Sequence, residues 1–132
     1  MSLFDAIGIA GTGLTVYRKW MDAVSDNLAN INDVSPTDKP AYQEEYIIAQ
    51  TAADGRGAQV GGTLLGAAAG RLTYEPDNPQ ADKAGYVRRP DINMSEQMGH
   101  LIMAQRAYEA NLSVVDRAHD AYMAAIQLGR NS

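Results

Sequence analysis

Residues 94–128 read MSEQMGHLIMAQRAYEANLSVVDRAHDAYMAAIQL, and this stretch decides the fold class. One series of positions recurs there at alternating spacings of four and three, the heptad pattern of a helix that packs along another helix. The series consists of Met94, Met98, Leu101, Gln105, Tyr108, Leu112, Val115, His119, Tyr122 and Ile126. Asn93 or Ser95 can cap this helix at its N-terminus, and Gly129 can end it. We predict one helix of about 35 residues, roughly 50 Å long, which favours a coiled coil.

A second helical series with the same period lies near the N-terminus. It consists of Leu14, Tyr17, Met21, Val24, Leu28 and Ile31. Pro36 disfavours helical geometry at the residue before it, so the helix is expected to end ahead of this proline. Gly8, Gly11 and Gly13 weaken the first turns, and we interpret them as small residues at a packing contact.

The middle of the chain, residues 36–90, has a different composition, with all five prolines and seven of the twelve glycines. The pattern predicts strands at 42–50, 59–60, 72–74 and 86–88, a turn at 55–57, a loop at 75–85, and mobile glycine-rich stretches at 61–62 and 66–70. We therefore predict a mainly α fold in which long N- and C-terminal helices form a coiled-coil pair, with one or two small β-hairpins between them. The predicted segments are 1–35, 36–90 and 91–132, and the two helices make up one structural unit.

Composition excludes several classes of function. Eleven basic and sixteen acidic residues give a net charge of −5, and no segment is basic, so binding to nucleic acid or to an anionic membrane is not expected. The chain has no cysteine, which excludes disulfides, thiol catalysis and cysteine-based zinc sites. It has neither an apolar window of about 18 residues nor a cleavable signal sequence, so membrane insertion is not expected.

The motifs that could indicate an enzyme lack the sequence context that those functions require. The glycines at 8, 11 and 13 lack the preceding strand that a dinucleotide-binding loop requires. His100 and His119 lie on different faces of one helix, so a single ion cannot bind both. His119 and Gln105 instead interrupt an apolar series, where polar residues often specify register and partner number. We predict no catalytic residues, no metal site and no cofactor.

Three motifs, spread over four stretches of the chain, resemble those of the axial proteins of the bacterial flagellum. Residues 1–14 and 21–33, MSLFDAIGIAGTGL and MDAVSDNLANIND, are similar to the N-terminal rod motif of that family, and residues 104–116, AQRAYEANLSVVD, are similar to its C-terminal partner. Between them, residues 74–93, YEPDNPQADKAGYVRRPDIN, are similar to the stretch that marks flagellar basal-body rod proteins of the proximal-rod FlgC type. The residues that match the family motifs are Asn27, Ala29, Asn30, Tyr86, Arg106, Tyr108 and Asn111.

The chain departs from the family pattern after the first motif. The stretch Asp33-Val34-Ser35-Pro36 stands where many relatives have a Thr-Thr-x-Gly-Tyr or a Gly-Pro-Tyr-Arg step. Gln43, Glu44 and Glu45 stand where basic residues are usual. Contacts made by the middle region are therefore expected to differ from those of relatives.

The resemblance implies a structural, non-catalytic subunit of the proximal rod, the drive shaft that transmits torque in flagellum-dependent motility. It implies export through the flagellar export apparatus without a cleaved signal and residence in the periplasmic rod of the basal body. The implied partners are other rod proteins, copies of the chain in a helical assembly, and the membrane-ring base. The expected assembly interface comprises Leu14, Tyr17, Met21, Val24, Leu28, Ile31, Met98, Leu101, Gln105, Tyr108, Leu112, Val115, His119, Tyr122 and Ile126.

Three alternatives remain at this point. The first is a different rod- or hook-type axial protein of the same export system. The second is a cytoplasmic helical adaptor or chaperone, and the third is a metal-dependent enzyme.

Overall fold

The computed structural model describes residues 2–131, in which two long helices enclose two β-hairpins in the order of the chain. The elements are α1 (Leu3–Ala29), β1 (Glu45–Thr51), β2 (Ala58–Leu65), β3 (Arg71–Tyr74), β4 (Tyr86–Arg89) and α2 (Met94–Arg130). The predicted combination of long terminal helices and a small β region is confirmed.

The two helices run antiparallel, which three contacts along their length establish. The rings of Phe4 and Tyr122 lie 5.3 Å apart between centroids, and those of Trp20 and His100 lie 5.8 Å apart. Asn27, near the end of α1, bonds to Gln97, near the start of α2. The 37 residues of α2 span about 55 Å and the 27 of α1 about 40 Å, so α2 extends past the start of α1.

Both helices begin at capping residues. The Ser2 hydroxyl accepts the Asp5 N–H, and the Asp5 carboxylate accepts the Ser2 N–H, which satisfies two otherwise unpaired donors. Of the two predicted caps, Asn93 is the one that accepts the Glu96 N–H, at 3.1 Å. The predicted stop at Gly129 is wrong, because α2 continues to Arg130. A glycine permits a helix to end, but it does not force that end.

The middle region forms two separate antiparallel hairpins. Glu45 pairs with Leu65 and Thr51 with Ala58, so β1 begins at residue 45 instead of the predicted 42. Residues 61–62, predicted to be mobile, belong to β2, where an irregular register between Ile48 and Ala49 leaves Gly61 as an extra residue. Glycine suits such a bulge because it tolerates the local bend. In the second hairpin, Tyr74 pairs with Tyr86.

The stretch 66–70, also predicted to be mobile, is held by backbone hydrogen bonds. The Gly66 N–H donates to the Glu44 carbonyl at 2.7 Å, and the Ala41 N–H donates to the Ala68 carbonyl at 2.8 Å. Gly70 has a φ of +53°, and a Cβ atom there would overlap the Arg89 carbonyl oxygen. This turn therefore requires glycine for both its conformation and its packing.

Replacing Gly70 with alanine is expected to destabilise the chain by about 3 kcal/mol, since left-handed strain adds to a backbone overlap. Gly55→Ala is the matched control, because Gly55 also has a positive φ but faces open space. We expect it to cost only about 1 kcal/mol. Urea denaturation followed by circular dichroism measures both variants, and equal midpoints would contradict the proposed overlap.

The buried apolar residues are mostly small. They are Ala10, Val16, Ala23, Val24, Ala41, Val87, Ile92, Ala104 and Ala118. Small side chains let the helices approach closely, but they bury little apolar area. Many of the larger apolar side chains of the described residues are exposed.

Candidate assembly site

Only half of the predicted series lies on the face of α2 that packs against α1, where it alternates with residues outside the series. Gln97, Ala104 and Ala118 are buried and Asn111 is half-buried, at intervals of seven residues. Of the predicted positions, Leu101, Tyr108 and Val115 are half-buried on this same face, and Tyr122 contacts Phe4 at its far end. The apolar band of α2 is thus wider than α1 can cover.

The other half of the predicted series lies on an exposed flank of α2, which we call the outer stripe. Helical spacing places six exposed residues along it. They are Met94, Met98, Ile102, Gln105, Leu112 and His119. Met94 is 55% exposed and Leu112 is 41% exposed. Gln105 and His119 are polar, but neighbouring exposed apolar residues such as Met94, Met98 and Ile102 mark interaction surfaces. Ile126, also in the predicted series, is exposed near the end of α2.

On α1, the predicted residues lie on or beside the contact face. Val24 is buried, and Leu14, Tyr17, Met21 and Leu28 are half-buried. Ile31 is half-buried but lies beyond the last helical residue. Ala10, which lies on the same heptad register extended towards the N-terminus, is buried, whereas the prediction missed the buried residues Val16 and Ala23. Alanine carries a weak apolar signal in the sequence, although it marks the closest approach of two helices.

A cluster of buried polar side chains joins the end of α1, the start of α2 and the start of β1. We call Asn27, Glu44 and Gln97 the junction network. The Asn27 amide nitrogen donates to the Gln97 side-chain oxygen and to the Glu45 carbonyl, at 3.0 Å in each case. Its amide oxygen accepts the Glu45 N–H at 2.8 Å. Asn27 therefore connects both helices to the first hairpin.

The network continues from Gln97 to a carboxylate. The Gln97 side-chain amide donates to Glu44, and hydrogen bonding to the same carboxylate raises the pKa of Tyr46 to about 12. Asn27 and Gln97 are 1% exposed and Glu44 is 8% exposed. Because unpaired buried polar groups are costly, a satisfied network of this kind admits few alternative arrangements. It fixes the position of the first hairpin against the helices.

The family resemblance indicated Asn27, but sequence reasoning missed Gln97 and Glu44 as site residues. Glu44 was noted only as a departure from the basic residues usual there. In this fold its acidic side chain is the acceptor that Gln97 requires. Gln97 precedes Ala104 by seven residues, and this spacing was the available signal that it faces α1.

The remaining motif residues have distinct positions. Asn30 caps α1 by donating its side-chain amide to the Asp26 carbonyl at 2.8 Å, and Ala29 is exposed as the last helical residue. Asn111 lies against Gly13, where a Cβ atom would come within 2.8 Å of the Asn111 side-chain oxygen. Gly13 is therefore at a packing contact, whereas Gly8 and Gly11 face open space. Tyr108 is half-buried and Arg106 is exposed.

Two arginines of the second hairpin fasten the segment that follows α1. The Arg88 backbone pairs with Ser35 at 2.8 and 2.9 Å, and its guanidinium donates to the Thr37 carbonyl at 2.8 Å. Arg89 donates to the Asn32 carbonyl at 3.2 Å and to Glu75 at 2.6 Å. The hydrogen bond from Arg89 lowers the pKa of the Glu75 carboxyl. We call Arg88 and Arg89 the arginine clamp. Both arginines lie within the stretch 74–93 that resembles the proximal-rod type.

Tyr86 completes the clamp by packing edge-on against Tyr74, with 5.3 Å between ring centroids. Asp82 closes the loop between β3 and β4, because its carboxylate accepts the Tyr86 and Ala84 N–H groups. Those backbone hydrogen bonds, with Tyr86 the largest contribution, lower the pKa of Asp82.

Comparison with known proteins gives consistent matches to one family. A model of the C-terminal region of flagellar basal-body rod proteins of the FlgEFG group matches residues 83–128. The flagellar basal-body rod protein FlgC of Yersinia enterocolitica is 31% identical over 98% of this chain and 100% of its own length. FlgC of Salmonella typhimurium is also 31% identical, over 98% of this chain and all of its own length. FlgC of Borreliella burgdorferi is 30% identical over 97% of this chain and 98% of its own length.

The chain belongs to the FlgC family of flagellar basal-body rod proteins. The predicted resemblance is therefore confirmed, and it extends across the middle region as well as the two helices. FlgC proteins are structural rod proteins, so the prediction that the chain is not an enzyme is confirmed by family membership.

The remaining features of this FlgC-family chain are its two histidines, possible metal ligands and possible membrane spans. Residues 2–131 contain no group of three or more His, Asp or Glu residues placed to hold a metal ion. His100 packs beside Trp20, and His119 is exposed, 3.9 Å from an Asp120 oxygen. Neither described helix has a stretch long and apolar enough to cross a membrane.

Proposed function

We propose that this chain is a structural subunit of the proximal rod of the bacterial flagellar basal body. The observation that carries the proposal is the match over nearly the full length to FlgC rod proteins. In this proposal the chain is exported by the flagellar apparatus without a cleaved signal and resides in the periplasmic rod. Its neighbours are other rod proteins, further copies of itself and the membrane-ring base.

The division of the chain into a pair of long helices and a middle region supports a load-bearing role. We propose that the helices of 1–35 and 91–132 act as one unit, which contacts neighbouring subunits through the outer stripe and completes coiled-coil packing with them. The region 36–90 makes the second unit, positioned by the junction network and the arginine clamp. Torque then passes through packed helices, whose interiors transmit strain because they are close-packed.

The proposal is tested by deleting the gene and restoring it with a tagged chain. We expect the deletion strain to lose swimming, and purified basal bodies from the restored strain to contain the chain in the part of the rod nearest the membrane ring. Localisation along the distal rod or hook would favour a different axial protein. Absence from basal bodies in a swimming strain would contradict the proposal.

The end of α2 is expected to order fully only on assembly. Every described residue from His119 to Asn131 is exposed, and the ring contact of Tyr122 with Phe4 lies near the start of this segment, so the segment has little of the tertiary packing that stabilises most helices. Amide exchange of the free chain should be fast over residues 119–131 and slow near Ala104, and protection of 119–131 should rise at least tenfold in assembled rods. Equal protection in the free and assembled states would contradict this expectation.

A further inference from the structure

We propose that the uncharged end of α2, residues 121–129, binds in a groove between α1 and the first hairpin of a second copy of this chain. This inference rests on the proposed function, and it names one subunit contact within the assembly. The segment reads AYMAAIQLG and lies between Asp120 and Arg130.

The groove has a volume of about 430 Å³ and runs along α1 from Ile9 to Trp20. Val16 and Tyr17 lie between these ends, and Ile47 and Ala49 of β1 form the opposite wall. Among the described residues that line it, none is charged. A charged segment buried there would lose water without gaining a partner, so the groove fits an uncharged, apolar occupant.

The end of α2 has the composition and the length for this groove. Met123, Ile126 and Leu128 are exposed along it, and Leu128 is 73% exposed. The nine residues of 121–129 rise about 13 Å, compared with about 16 Å for α1 between Ile9 and Trp20. The other uncharged stretches of nine or more residues in the two helices, 6–17 and 97–105, contain residues of the α1–α2 contact.

The two surfaces lie at different places on the chain, which determines the kind of assembly. Asn111 lines the groove, and Ile126 lies about 22 Å further along α2 at 1.5 Å per residue. The segment therefore cannot reach the groove of its own chain. A contact between two different surfaces is heterologous, and repeating it generates a ring where the rotation closes and an open helical filament where it does not. With the helices of successive copies parallel, the axial offset between bound copies is about 22 Å.

Paired cysteines test this contact cleanly, because the natural chain has none. Ala49→Cys places a thiol in the groove and Ile126→Cys places one on the α2 end. The control pairs Ile126→Cys with Ala84→Cys, in the exposed loop between β3 and β4. Both double variants are expressed in a strain lacking the natural gene, and purified basal bodies are oxidised mildly.

We expect a ladder of dimers, trimers and higher multimers of this chain for the groove pair, and none for the control pair. A disulfide needs Cα atoms about 4.4–6.8 Å apart, so the ladder requires direct contact. Only dimers, a crosslink to a different protein, or no crosslink in basal bodies that contain the chain would each overturn the inference. A second pair, Ala58→Cys with Met123→Cys, replaces the first if that variant does not assemble. Absence of the unmodified chain from basal bodies would instead count against the proposed function.

Discussion

Gln97→Glu is expected to unfold the junction and abolish swimming. The natural side chain donates a hydrogen bond to Glu44, and the variant brings a second carboxylate against the first in a nearly inaccessible site. Breaking a buried pair in this way costs about 3–5 kcal/mol, a large part of the total stability of a small domain. Urea denaturation of the purified chain and spreading in soft agar measure the two effects.

Exchanging the roles of the two residues provides the control. Gln97→Glu combined with Glu44→Gln restores one amide donor and one carboxylate acceptor, and we expect it to recover most of the stability and motility. Glu44→Gln alone should be mild, because an amide oxygen still accepts from Gln97. A single Gln97→Glu variant as stable as the natural chain would contradict the role of the network.

The Gln97→Glu variant should also respond to pH in a known direction. Two adjacent buried carboxyls raise the pKa of the pair in the folded state, because both cannot easily be ionised. A group whose pKa is raised on folding is destabilising when ionised and recovers stability on protonation. The variant should therefore regain stability relative to the natural chain as the pH is lowered from 7 to 5. An unchanged difference across that range would exclude charge repulsion as the cause.

Leu112→Asp is expected to abolish swimming by a different route, since it should leave the free chain folded. Leu112 is on the outer stripe, where an exposed aspartate has little effect on a lone subunit. In a packed subunit contact the same carboxylate loses its water, at a cost of several kcal/mol for each copy. We expect unchanged circular dichroism of the purified chain and loss of the chain from isolated basal bodies.

Ser113→Asp is the matched control, because it adds the same charge one residue away on the polar side of α2. A strain that carries Ser113→Asp should swim normally. Leu28→Asp offers a comparison at a half-buried position of α1, where we expect loss of stability in the free chain as well. A Leu112→Asp strain that swims would remove the outer stripe from the assembly interface.

Local sequence patterns predict the two long helices and the approximate places of the strands in this protein. The alternating spacing from Met94 to Ile126 depends only on the pitch of a helix, and the cap at Asn93 depends on one residue and its nearest neighbours along the chain. The approximate places of the four strands and the turn at 55–57 follow from similarly local preferences, although the start of β1 and the extent of β2 do not. Residues 1–14, 21–33, 74–93 and 104–116 also carried enough of the family pattern to indicate the FlgC family.

Tertiary structure alone decided which face of α2 meets α1 and what holds the hairpin in place. Large side chains dominate an apolar pattern, but helices approach most closely where side chains are small, so Ala104 and Ala118 displaced Gln105 and His119 from the contact. Glu44 and Gln97 lie 53 residues apart, and no local pattern pairs them. Their hydrogen bond exists because the end of α1, the start of α2 and the start of β1 meet at one point. The physical reason is that pitch and capping act within a few residues, whereas close packing and buried hydrogen bonds depend on residues that only the folded chain brings together.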